Sequence, residues 1–212
     1  MKINEIYPAL NGEGVHVGVP VVIIRMQGCN LVCKYCDTMH AHDLGGGEEM
    51  SLDEVFKKVP GSTRRVLITG GEPLMQPDSL LELVRRLHYG RHIEVEVETN
   101  GSVEPPRWWR EVDCWSADIK CPSSGEEASS NRRWLGTREC DQVKFVVSND
   151  EDLLFARKTF VFPERVNPTI LLSPTYPWEQ EFLHLCADCC VMWGVRLSLQ
   201  QHKIIYGERR GV

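Results

Sequence analysis

Cys29, Cys33 and Cys36 fall in the segment GCNLVCKYCDT, a Cys-x3-Cys-x2-Cys spacing that follows the apolar run VVIIRMQG. Three thiolates so close in sequence can wrap one metal centre, because a single loop turns all three inward without a long-range closure cost. Structural zinc would want four protein ligands, usually two separated Cys-x2-Cys pairs, and no fourth stands nearby. Cys186, Cys189 and Cys190 could supply one, but they lie on a helix-like run. A [4Fe-4S] cluster is better served, since three cysteines leave one iron open to an exogenous ligand. The plain alternative is a set of buried small hydrophobes, which is the default reading of the other six cysteines.

A second group is TGGEP, Thr69 to Pro73, at the end of the run RVLITG. Its glycines allow the backbone to approach a ligand closely, and the Glu72 carboxylate beside them can accept from an ammonium. The bland reading, a strand-to-helix turn in which Pro73 ends the strand, holds in either case.

These groups need elements to position them. Apolar runs at Val21 to Met26, Val66 to Thr69, Ile93 to Thr99, Val112 to Asp118, Val143 to Val147, Thr169 to Ser173 and Val195 to Leu199 read as strands. Helical patterns lie between several of them: Ser51 to Val59, opened by a Ser51/Glu54 capping box, Pro77 to His88, Asp150 to Phe160, and Trp178 to Trp193. The alternation predicts one α/β domain over 1–212 with parallel strands. Either a doubly wound sheet or a complete or partial barrel fits, and both put ligand groups at the C-terminal ends of strands. The polar segment Cys121 to Asn131 reads as an exposed loop and a candidate lid, and Glu208 to Arg210 as a solvated tail.

A net charge of −6 gives no basic field for a nucleic-acid backbone, so no nucleic-acid partner is expected. The longest apolar run, Val19 to Ile24, is far short of the roughly 18 residues of a membrane span. An N-terminus with Glu5 and Pro8 where a secretory signal would be apolar, and an odd total of nine cysteines, predict a cytoplasmic protein with reduced thiols.

The cysteine spacing, with the aromatic Tyr35 just before the last cysteine, resembles the signature of the radical S-adenosylmethionine superfamily, and GGEP matches that superfamily's methionine-binding element. Four further segments, NEIYPALNGEG, CDT (Cys36, Asp37 and Thr38), ETNG and the C-terminal LSLQQHKIIYGERRGV, resemble the 7-carboxy-7-deazaguanine synthase family over nearly the whole chain. The resemblance implies a reduced, incomplete (β/α) barrel. It also implies conversion of 6-carboxy-5,6,7,8-tetrahydropterin to 7-carboxy-7-deazaguanine with loss of ammonia, as in queuosine-type 7-deazapurine biosynthesis, using a [4Fe-4S] cluster, S-adenosylmethionine and Mg²⁺.

Residue by residue, it gives Leu10, Asn11 and Gly12 to the pterin, Asn11 standing where the family often has Gln. Arg25 would grip the substrate carboxylate with its guanidinium fork, with a strand-end salt bridge as the simpler reading. Thr38 would offer its hydroxyl to Mg²⁺, against a plain turn threonine. Thr69 would touch substrate. Gly71 and Glu72, with Tyr35 and Asp37 beside the cluster, would serve the cofactor. Ser116, Asp118 and Lys120, in WSADIK where relatives carry a Pro-Lys pair, match another cofactor segment, and Asp118 would hold a ribose hydroxyl. Ser173, Pro174, Thr175 and Tyr176 would lie on the adenine side. Glu98 and His202 are the remaining polar partners for a pterin ring, and an apolar barrel interior would shield radicals from solvent.

The family also implies a homodimer and an electron donor such as a flavodoxin or ferredoxin. Two alternatives share the cysteine motif: a small activase that takes hydrogen from a protein glycine, and a zinc- or iron-binding interaction module without catalysis.

Overall fold

The computed structural model describes residues 1–161 and 167–211; Val212, the end of the C-terminal motif, lies outside them. A hairpin opens the chain. β1 (Lys2–Leu10) and β2 (Pro20–Met26) pair antiparallel, and β3 (Glu48–Glu49) joins the outer edge of β1. From β2 onward the sheet is parallel, through β4 (Arg65–Gly70), β5 (Glu94–Thr99), β6 (Cys114–Ile119), β7 (Gln142–Val147), β8 (Thr169–Pro174) and β9 (Arg196–Leu197). The spatial order β3-β1-β2-β4-β5-β6-β7-β8-β9 runs from one edge to the other without closing, so the barrel is incomplete.

All seven expected strands are present, their ends differing by one or two residues. β1 and β3 were not expected. In β1 the charges of KINEIYPAL and its mostly half-buried side chains give no apolar run to read.

The helices are α1 (Leu52–Lys58), α2 (Pro77–Arg91), α3 (Asp150–Val161), α4 (Gln180–Trp193) and α5 (Gln201–Tyr206). The capping box of α1 forms as expected: Ser51 Oγ accepts from Glu54 N at 3.3 Å and Glu54 Oε2 accepts from Ser51 N at 2.7 Å. α5 follows the short strand β9 and carries no buried residue, so it lacks the apolar stripe that reveals a helix in sequence.

Side chains alternate across each strand, and the sheet divides its two faces accordingly. One face is the apolar core. Val22, Ile24, Val66, Ile68, Val95, Val97, Trp115, Ala117, Val143 and Phe145 pack there with Leu80, Leu83, Val84 and Leu87 of α2 and with Ala156 of α3 and Cys190 of α4. The other face begins apolar, with Val21, Ile23 and Leu67. It then becomes polar: Arg25, Thr69, Glu96, Glu98, Asp118, Gln142 and Lys144 occupy the alternate positions of β2 and β4 to β7. The expected apolar interior is thus corrected. The strands read as continuous apolar runs because the β2 and β4 runs are apolar on both faces, whereas β5 to β7 are apolar on one.

All nine cysteines are free thiols. Cys186, Cys189 and Cys190 sit in the core under α4 and cannot serve the cysteine loop, and Cys140 is exposed instead of buried. The Cys121 to Asn131 segment is neither a free loop nor a lid. It folds into 3-10 turns against the back of the cysteine loop, where Ser124 O accepts from Lys34 N at 3.1 Å and Glu126 Oε1 accepts from Val32 N at 3.0 Å.

Candidate active site

The polar face of the sheet and the loops at its rim enclose a cavity of about 380 Å³. Cys29, Cys33 and Cys36 line it from the loop after β2. That loop is held by the turn after β4: Gly71 N donates to Met26 O at 3.1 Å and Glu72 N to Gly28 O at 2.8 Å. A methyl group on Gly71 would stand 2.1 Å from Gly28 O, so only glycine lets the two loops meet. The GG pair therefore brings backbone against backbone, while Gly71 also reaches the cavity wall.

Glu72 does not line the cavity. It is fully buried behind it, with Oε1 accepting from Leu74 N at 2.9 Å and Thr99 Oγ1 at 2.8 Å, and Oε2 accepting from Asn100 N at 2.6 Å. Burial pushes its pKa up to about 7. Ser116, buried on β6, is likewise absent from the lining.

The three thiols suit a [4Fe-4S] cluster. They are half-buried, unpaired and open on one cavity, with no fourth cysteine among the lining residues. Burial pushes Cys33 and Cys36 above the ordinary thiol range. Beside them Tyr35 lines the cavity, its hydroxyl buried without a hydrogen-bond partner among the described residues.

Arg25 projects from β2 into the cavity, where its Nε donates to Glu5 Oε1 at 2.7 Å and its Nη2 to the Tyr7 hydroxyl at 3.3 Å. Across from it Thr69 Oγ1 donates to Glu98 Oε2 at 2.8 Å. Burial, against the Lys144 ammonium, pushes Glu98 up to about 7. Lys144 also reaches Glu13 Oε2 at 3.0 Å and Asp118 Oδ1 at 3.6 Å, and Asp118 Oδ2 takes Lys120 Nζ at 2.6 Å. Although burial opposes it, Lys120 and Lys144 hold the Asp118 carboxyl below the usual range. Asp118 is thus an ion-paired group on the wall.

Leu10 at the end of β1 and Asn11 and Gly12 in the loop between β1 and β2 reach the cavity, and His202 reaches it from α5. The two meet: Gln201 N donates to Gly12 O at 2.6 Å, and a methyl on Gly12 would fall 2.0 Å from His202 Nδ1. The Asn11 amide is turned away from the cavity, its Nδ2 donating to Glu96 Oε2 at 3.1 Å. Thr38 Oγ1 donates to Asp37 Oδ1 at 2.9 Å, and Lys203 Nζ lies 3.3 Å from Asp37 Oδ2. Ser173, Pro174, Thr175 and Tyr176 close the side formed by β8. Arg209 and Arg210 also line the cavity, with Arg210 Nη2 3.8 Å from Glu5 Oε2, so the expected solvated tail borders the site.

Glu5, Tyr7, Glu13, Asn100 and Lys144 line the cavity and were not expected there. The alternation in QVKFVV carried the signal for Lys144: a charged residue between apolar positions of an otherwise buried strand needs a polar space to face.

Residues 23–113 match the Radical SAM superfamily, and three thiols on one loop at the rim of an open parallel sheet fit an enzyme of that class. Among curated proteins the chain is 38% identical to 7-carboxy-7-deazaguanine synthase of Methanospirillum hungatei over 97% of its own length and 85% of the relative's. It is 34% identical to the enzyme of the same description from Koribacter versatilis, with both chains covered in full. The fold matches the crystal structure of QueE from Escherichia coli at a TM-score of 0.66 and 24% identity, covering 95% of this chain and 94% of that one. The chain belongs to the 7-carboxy-7-deazaguanine synthase family. It is accordingly an enzyme whose cofactors are a [4Fe-4S] cluster and S-adenosylmethionine.

Proposed function

We propose that the cavity binds 6-carboxy-5,6,7,8-tetrahydropterin and that its wall residues hold this substrate for conversion to 7-carboxy-7-deazaguanine and ammonia. The observation that carries this reading is the convergence of three thiols, the Arg25 fork and the buried Glu98 carboxyl on one polar cavity within a chain of this family. With Cys29, Cys33 and Cys36 as its protein ligands, the cluster together with S-adenosylmethionine supplies hydrogen abstraction from carbon.

Arg25 offers its fork to the substrate carboxylate, exchanging its contacts with Glu5 and Tyr7 for it. Glu98, oriented by Thr69, accepts from ring N–H groups, and His202 closes the opposite edge. The Leu10 to Gly12 backbone presents further polar groups to the ring. Thr38 gives a hard oxygen for Mg²⁺ next to the Asp37 carboxylate, which the Thr38 hydroxyl and Lys203 hold below its usual pKa although burial works the other way. Gly71, Tyr35, Asp118 and Lys120 face the cofactor, with Asp118 as the ribose partner, and Ser173 to Tyr176 flank the adenine. Glu72 acts from behind the wall by fixing the backbone at Leu74 and Asn100, and Ser116 from the strand that carries Asp118.

The protein works in the reducing cytoplasm as a homodimer supplied by a flavodoxin or ferredoxin; nine free thiols support that compartment. No helix among the described residues is long and apolar enough to cross a membrane. The test is an anaerobic assay of the cluster-reconstituted chain with dithionite, S-adenosylmethionine, Mg²⁺ and the pterin. Mass detection of 7-carboxy-7-deazaguanine with little net 5′-deoxyadenosine is expected. Cleavage of S-adenosylmethionine without that product would overturn the substrate assignment.

A further inference from the structure

Below the cavity, on the same polar face but outside its lining, Glu96 of β5 and Gln142 of β7 are each about 1% exposed. A buried carboxylate and a buried amide in such a place need partners. Glu96 Oε2 accepts from Asn11 Nδ2 at 3.1 Å and lies 2.9 Å from His16 Nδ1, while Glu96 Oε1 accepts from Gln142 Nε2 at 2.8 Å. Gln142 then turns its own oxygen to Val15 N at 2.8 Å. Three of these four contacts end on the loop that joins β1 to β2, and the fourth ties the two strand residues together.

Cys114 is near enough for His16, Glu96 and Cys114 to be considered a cation cage, since their ligand atoms lie within 4.8 Å of one another. The Glu96 oxygens are already filled by donors, and the Arg65 guanidinium stands 3.4 Å from His16 Nδ1. The group is a hydrogen-bonded socket.

We propose that Glu96 and Gln142 are positioning residues for the synthase reaction: they seat the loop between β1 and β2 so that Leu10, Asn11 and Gly12 face the substrate. This rests on the reading of the cavity as a pterin site. It also assigns the Asn11 amide its task, which is to anchor the loop to the sheet while the backbone around it meets substrate.

The donor pattern supplies a test. In Glu96→Gln the new amide nitrogen opposes a donor whichever way it turns, Asn11 Nδ2 on the loop side or Gln142 Nε2 on the strand side. In Gln142→Glu two carboxylates face each other. The double variant carries both substitutions and so exchanges the two groups. The amide at position 96 can then turn its oxygen to the loop donors and its nitrogen to the carboxylate at position 142. That carboxylate can also accept from Val15 N, so every contact is restored at unchanged net charge. Each single variant is expected to raise KM for the pterin by about tenfold with kcat within about twofold. KM for S-adenosylmethionine and iron content should stay at wild-type levels, and the double variant should return to near the wild-type KM. Independently of turnover, hydrogen exchange of the peptide spanning 11–19 should speed up in both single variants and slow again in the double.

Unchanged exchange in the single variants, or a double variant no better than either, would overturn the proposal. If the single variants do not fold, the double variant carries the test alone, and its failure to fold counts against the exchange. Failure of the wild-type chain to process the pterin would instead remove the substrate reading and leave the exchange result standing by itself.

Discussion

Cys33 is the middle thiol of the loop after β2, and its replacement removes one of three cluster ligands with no spare among the lining residues. Cys33→Ala is expected to abolish both iron binding and product formation, measured as iron per chain and by the anaerobic assay. Arg25 is a finer test. A lysine keeps the charge and loses the fork, so Arg25→Lys should raise KM for the pterin by about tenfold while leaving S-adenosylmethionine affinity unchanged. The cysteines and Arg25 were legible as residue types at a spacing, because ligation and carboxylate recognition each need a particular side chain. The place of Glu72 was not. A carboxylate next to two glycines gives no sign in sequence of whether it faces a ligand or the backbone behind it, and only the positions of Leu74, Thr99 and Asn100 decide that it faces away.

The hairpin, the cysteine loop and the turn after β4 are joined through backbone contacts that side-chain chemistry cannot replace. Gly71→Ala would force a methyl to within 2.1 Å of Gly28 O, so the cysteine loop must shift. We expect a stability loss of at least about 2 kcal/mol and reduced iron uptake, read by thermal unfolding and iron analysis. Strands with buried inner ends were readable from their apolar runs, and α1 from its capping box. β1 and α5 were not, because each lies at the border of the cavity and carries the mixed polar character that a site wall needs. The same reason hid the packing of the 121–131 segment: it looks solvated, but Glu126 Oε1 and the Ser124 carbonyl accept from the backbone of the cysteine loop.

For the whole molecule, the burial of acids in and behind the cavity wall links folding to pH. Burial raises Glu98 and Glu72 from the ordinary 4.5 to about 7, so between those values the folded chain keeps protons that the unfolded chain has lost. Their contribution is fully present below 4.5 and disappears as pH rises through about 7. Asp37, Asp113 and Asp118 are shifted down and contribute only where carboxylates protonate, below this window. His40 and His202, which burial shifts down, pull the other way, so the Glu98 contribution is read as a difference: from about pH 4.5 to about pH 7 the melting temperature of the wild-type chain is expected to lose ground relative to Glu98→Gln. A melting profile with the same slope in both proteins would contradict this. The sheet itself has a broader consequence. Since β5 to β7 give alternate residues to the helices and to the polar face, most residues that meet a substrate and most that pack the helices are interleaved along the same few segments. Such a chain can change what it acts on with the helix-packed layer left as it was, but inner groups that hold one another, Glu96 with Gln142 and Lys144 with Glu13 and Asp118, must change together.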